Sequence, residues 1–264
     1  MKILGVDFET SGLLDQNCRI IEIGAVLFDW DKKTPIEVFN VIVAPQENWD
    51  MMPGAELSHG MAKPYVMENG MPSAAALTIL DKLVGKADVL CAHNGTQFDK
   101  PLLKSESVRH EMWSQADGKI WIDTMTDVPY PDQIVARKLV HLAAEHGFLN
   151  PFAHRAAFDV LTMFEILSKY DINAVIQNAI APTVKIRALA SYEQRELPKA
   201  RRYRWEPTTK VWWKEIKEFD LGKEEKEAPF KIVVLETLNR TSGVDVSAFV
   251  KPAVGEPNAQ EGGV

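Results

Sequence analysis

Short apolar runs and helical stripes alternate along the first 170 residues. Runs near 2–8, 19–29, 36–43, 88–92 and 119–123 are rich in β-compatible residues and predict strands. The first three follow one another closely enough to form a meander. Recurrence at three- and four-residue steps predicts helices near 73–85, 97–112, 134–146 and 155–170. In the last of these, Ala156, Val160, Met163, Phe164 and Leu167 make the apolar stripe. Residues 51–71 carry several Pro and Gly and predict a long connection at the rim of a site, and 171–198 predict a helical linker. Beyond it, Tyr203–Trp213 predicts two strands around a Pro207-Thr208 turn, and Phe230–Thr237 one further strand. From Pro252 the chain is Gly/Pro/Glu-rich and is expected to be disordered. No internal repeat is present.

Three blocks break the apolar pattern with carboxylates. Asp7 and Glu9 are two residues apart at the end of the first run, so a strand sends both side chains to one face. Asp99 follows the fourth run, in the first turn of the expected helix, with Pro101 at a position where a missing N–H costs little. Asp159 adjoins the apolar stripe of 155–170 and so faces protein. His154 is five residues earlier, roughly 140° away on an ideal helix. The two cannot reach one site from the same regular helix, which puts His154 on the preceding loop. Each block also has a simpler reading: a solvated strand face, an acid favoured by the helix dipole, a histidine flanking a helix. Together, buried carboxylates are tolerable where hard cations neutralise them, which points to metal-dependent phosphodiester chemistry.

Asp7-x-Glu9, Asn94-x-x-x-Phe98-Asp99 and His154-x-x-x-x-Asp159 resemble the three motifs of the DEDDh 3′–5′ exonucleases. The stretch Asp7 to Leu13, followed by Arg19 to Val26, is similar to that family's first strand, turn and second strand. The resemblance implies an α/β, RNase H-like mixed sheet flanked by helices, over an exonuclease domain at 1–175. It implies Asp7, Glu9, Asp99 and Asp159 as ligands of two divalent cations, Mg²⁺ or Mn²⁺, and His154 as general base. Thr10, Leu13, Asn94 and Phe98 match positions that line the terminal-nucleotide pocket. The implied substrate is a free 3′ end, single-stranded DNA ahead of RNA. An exoribonuclease and a polymerase-associated proofreading accessory are the other readings.

Charge changes the picture only when divided by region. The net charge is −7, which looks wrong for a nucleic-acid enzyme, yet residues 185–217 hold ten Lys/Arg against four Glu. This basic stretch is interleaved with aromatics, a mix that can track phosphates and stack on bases. Arg201, Arg202, Arg204 and Trp205 are the expected contacts; the other reading has the hairpin packed on the nuclease core. The region 176–250 is therefore expected to be a linker plus an accessory region, faintly similar to the extension of exonuclease X-like proteins. Hydrophobic residues at 46% exclude wholesale disorder. Two cysteines argue against a disulfide framework, and no stretch is long and apolar enough to span a membrane. A cytoplasmic protein with a replication or repair partner is the resulting expectation.

Overall fold

The structure, a computed structural model, describes residues 1–15, 17–46 and 48–250. The expected disordered tail lies outside the described residues. Six strands form one sheet: β1 (Lys2–Thr10), β2 (Ile20–Asp29), β3 (Thr34–Ala44), β4 (Met71–Pro72), β5 (Val89–Ala92) and β6 (Ile120–Asp123). Their order is β4-β3-β2-β1-β5-β6. β1 to β3 form the expected antiparallel meander, and β5 and β6 join on the other side of β1 in parallel. β1 is thus interior and paired on both edges, which suits its continuous apolar run.

The helices are α1 (Pro53–His59), α2 (Lys63–Asn69), α3 (Ser73–Lys86), α4 (Asp99–Arg109), α5 (Leu139–Glu145), α6 (Ala156–Leu167) and α7 (Ile172–Ile180). Period-two alternation splits the core between the faces of the sheet. Leu4, Val6 and Phe8 pack with α3 and α4, whereas Ile3 packs with Leu142, Val160, Met163, Phe164, Val175 and Ile176 of α5 to α7. A buried ion pair, Arg19 Nε to Glu106 Oε1 at 2.8 Å, ties α4 to the start of β2.

Three expectations change. The 51–71 connection contains α1 and α2, because Pro53 and Pro64 occupy opening positions and Gly60 ends α1 at φ 74°. The helix expected at 134–146 starts only at Leu139: Ile134 enters the core, and the Arg137 carbonyl accepts from His93 Nε2 at 2.8 Å instead of a helical amide. The linker reading of 171–198 fails after α7. Thr183–Leu189 alternates Val184, Ile186 and Ala188 inward with Lys185 and Arg187 outward, and is β7. The region continues with α8 (Glu196–Ala200), β8 (Arg204–Glu206), β9 (Val211–Lys217), α9 (Leu221–Glu227) and β10 (Lys231–Leu238). The expected hairpin is β8–β9, inside an antiparallel sheet ordered β10-β7-β9-β8. Its tryptophans belong to that sheet: Trp212 packs against Val184, Ile186, Ala188 and Tyr203.

Candidate active site

Asp7 and Glu9 leave β1 on the face covered by α6. Across the ladder, Asp7 pairs with Gly24 and Glu9 with Glu22. Gly24 sets how near α6 comes. A Cβ there would sit 2.3 Å from the Ala156 carbonyl carbon and the Ala157 nitrogen. At Gly5 a Cβ would meet Val160 and Phe164 side chains at 2.6 Å. Two bare positions on neighbouring strands let the first turn of α6 lie against the sheet, bringing Asp159 to Asp7 and Glu9. Gly24→Ala should therefore lift the start of α6, costing about 1–3 kcal/mol of stability. It should also weaken Mn²⁺ binding, as urea denaturation and calorimetry would show together.

The entry to α6 is pinned by a carboxylate outside the three motifs. Glu22 is fully buried; it accepts from Arg155 Nη2 at 2.9 Å and from the Ala156 N–H at 3.3 Å. Asp159 is held in turn by Asn150 Nδ2 at 2.6 Å and by the His154 N–H at 2.8 Å. His154 lies on the preceding turn at φ 63°, so its exposed ring returns toward the carboxylates. Ligand atoms of Glu9, His154 and Asp159 all lie within 4.8 Å of one another.

Asp99 opens α4 and is 2% exposed, with Oδ1 buried and without a hydrogen-bond partner. The loop before it, from β5, is organised by Asp123 at the end of β6. That carboxylate accepts from the Asn94 N–H at 2.9 Å, the Thr96 N–H at 3.1 Å and the Thr96 hydroxyl at 2.6 Å. Asn94 takes φ 63°, a conformation asparagine tolerates better than most residues.

Electrostatically the cluster is strained. Burial, then the charges of Asp99, Glu9 and Asp159, push the Asp7 carboxyl well above its ordinary range. Burial and the neighbouring Asp159 raise Glu9 to about 7, and burial with Asp123 raises Asp99 to about 8. Burial also raises Asp159, against the opposing His154 N–H. A carboxylate-rich set beside one imidazole, an orphaned buried oxygen on Asp99 and mutual repulsion together fit a hard divalent cation.

The exonuclease family profile RNase_T matches residues 4–167, more than half of the chain. The chain belongs to this family. It is accordingly a hydrolase of nucleic-acid phosphodiester bonds, with the RNase H-like sheet, and its five residues follow the DEDDh pattern. The fold is also that of Escherichia coli exonuclease I in complex with a dA16 oligonucleotide, at 19% identity and TM-score 0.56 over 71% of this chain and 48% of that one. The exonuclease thus spans about half the length of that relative. A zinc-bound exonuclease I–single-stranded DNA complex from the same organism aligns over 92% of this chain and 63% of its own, at 15% identity and TM-score 0.59. The nuclease domain of 3′hExo, a DEDDh family member bound to rAMP, aligns over 64% and 90%, at 17% identity and TM-score 0.53. No curated protein sequence matches the chain.

Around the exonuclease's acidic cluster, the expected pocket residues are dispersed in kind. The Thr10 hydroxyl donates to the Gly12 carbonyl at 2.8 Å, Leu13 projects at 76% exposure, and Phe98 is half-buried against the α3–α4 side of the core. His59, at the end of α1, was not singled out from sequence. Its ring is buried, burial pushes it below the ordinary histidine value, and its neighbours include Thr10, Glu22 and His154. It lies in the stretch read as a connection, where nothing local marks it.

In the accessory sheet the expected contacts differ in what already engages them. Arg201 is engaged bidentately by Glu224 at 3.0 and 2.9 Å and reaches Glu227 at 3.3 Å, so its charge is satisfied within the appendage. Arg202 donates to the Asp132 carbonyl at 2.8 Å. Trp205 remains 46% exposed, and Arg204 lies 5.6 Å from the Trp213 ring. Arg187 stands opposite Trp213 on β9, a residue pair that only the strand register reveals.

Proposed function

We propose that the enzyme removes nucleotides one at a time from 3′ ends, with single-stranded DNA as substrate and nucleoside 5′-monophosphates as products. The convergence of Glu9, His154 and Asp159, beside Asp7 and the orphaned Asp99 oxygen, carries this reading. Asp7, Glu9, Asp99 and Asp159 would hold two divalent cations, Mg²⁺ or Mn²⁺. Such ions supply an activated water and charge stabilisation of the departing oxygen.

The rest is done by the protein's own groups. Asn150 and the His154 N–H keep Asp159 oriented. The His154 imidazole takes the proton of a water whose oxygen attacks the terminal phosphorus. The bond to the 3′ oxygen of the penultimate nucleotide breaks, and that oxygen is protonated from solvent. Thr10, Leu13, Asn94 and Phe98 border the space for the terminal nucleotide. In this reading residues 1–175 carry the chemistry, and the region 176–250 contacts the strand upstream. A groove of about 290 Å³ there is lined by Arg187, Ser191, Lys210 and Trp212, and Arg202, Arg204 and Trp205 add cationic and aromatic surface.

The test uses purified protein with 3′- and 5′-labelled DNA and RNA strands in Mg²⁺, Mn²⁺ or EDTA. Immediate release of 3′ label as mononucleotide from DNA, silent in EDTA, is the expected result. Faster cleavage of RNA would reassign the substrate, and activity in EDTA would refute the metal-dependent reading.

A further inference from the structure

One link between the accessory sheet and the nuclease runs through a buried carboxylate. Asp127 is fully buried, four residues beyond the end of β6. Its Oδ1 accepts from Lys217 Nζ at 2.9 Å, at the end of β9, and from Arg240 Nη2 at 2.5 Å, just after β10. Arg240 also donates to the Ala179 carbonyl of α7 at 3.3 Å. The other carboxylate oxygen accepts from the Asp123 N–H at 2.8 Å, and the Asp127 N–H returns to the Asp123 carbonyl at 2.8 Å. Asp123 in turn holds the Asn94 and Thr96 amides. From there two helical-type bonds lead into the start of α4: Phe98 N–H to the Asn94 carbonyl at 3.1 Å and Lys100 N–H to the Gly95 carbonyl at 2.8 Å.

We infer that Asp123 and Asp127 are positioning residues, and that the accessory sheet braces the loop carrying Asn94 and Asp99 through Lys217 and Arg240. The physical reason is the cost of an uncompensated buried charge. A carboxylate in so dry a position is held by the cations beside it, and the two that reach Asp127 Oδ1, Lys217 and Arg240, both come from the appendage. With Asp127 fixed, its hydrogen bond orients the Asp123 backbone, and such bonds are stronger in a low-dielectric interior than in water. Asp99 follows this loop directly at the start of α4, so the loop's position sets where its carboxylate stands. The appendage is thereby part of the active-site scaffold, whether or not it touches substrate. This inference rests on the proposed role of Asp99 only for its catalytic consequence.

The test compares Lys217→Met/Arg240→Met and Asp123→Asn with wild type in the full chain. It reads amide hydrogen exchange residue by residue, Mn²⁺ affinity by calorimetry, and kcat and KM on a short oligonucleotide. The double variant should speed exchange at Asn94 and Thr96 by at least about tenfold, with α3 amides such as Leu80 and Leu83 at wild-type rates. Mn²⁺ affinity and kcat should fall in parallel, with KM little changed. Asp123→Asn, which leaves the appendage untouched, should give the same pattern. Wild-type protection of Asn94 and Thr96 in either variant overturns the inference. So does exchange raised equally in α3, which would make the network a general stabiliser. Exchange is read without turnover, so failure of the nuclease reading and failure of the brace are distinguishable.

Discussion

Asp7→Ala should lose cleavage by a factor on the order of 10³ or more, because it removes the carboxylate most deeply shared by the cluster, and charge stabilisation by a site metal is worth several kcal/mol. The variant should nevertheless fold, and without metal it should be more stable than wild type at neutral pH. Glu9 and Asp99 bind protons in the folded protein up to about pH 7 and about pH 8, against ordinary values of 4.5 and 3.8. Between those limits the folded state holds more protons than the unfolded chain, so stability falls as pH rises. Metal-free wild type should be most stable below about pH 4 to 5 as far as these groups decide, and its melting temperature should decline toward pH 8. Mn²⁺ should reverse the decline by binding only the folded state. Asp7 is itself pushed well above its ordinary range by burial and by its neighbours' charges, so removing it takes away its own share of the decline, which should be shallower in the variant. Calorimetric melting across this pH range, with and without Mn²⁺, measures all of it. Near-wild-type cleavage by Asp7→Ala would remove this residue from the site.

The second large effect belongs to His154. A general base contributes about 10²–10⁴-fold to rate. His154→Asn should lose turnover on that scale while keeping most of the Mn²⁺ affinity. Asparagine is the informative replacement because residue 154 sits at φ 63°, where alanine adds backbone strain of about 1–2 kcal/mol. The N–H that holds Asp159 is main-chain and survives the substitution. Wild-type turnover in His154→Asn would show that the ring near Glu9 and Asp159 is structural.

The acidic site was legible because its information is local. Two residues of separation on a strand fix a shared face for Asp7 and Glu9, and five on a helix exclude a shared face for His154 and Asp159. Those angles are properties of the backbone and need no partner. The meander, the α6 stripe and the β8–β9 hairpin follow from the same periodicities. β7 is equally readable from the alternation of Val184, Ile186 and Ala188.

Other features have no local signature. Nothing in the sequence around Gly24 says that a helix 130 residues later will press on it, or that Glu22 will meet Arg155. The fates of Arg201 and Arg204 separate only when α9 places Glu224 beside one and β9 places Trp213 beside the other. His59 looks like an ordinary surface-capable residue until the fold buries it. By itself, then, the sequence determined which residues are the candidates for the chemistry and which side of each element they leave, because backbone geometry alone sets periodicity. The tertiary structure decided which of them meet, which charges are already spent, and that Asp127 links the second sheet to the active-site loop. Burial, repulsion and ion pairing act between residues that are distant along the chain, and chain folding alone sets those distances.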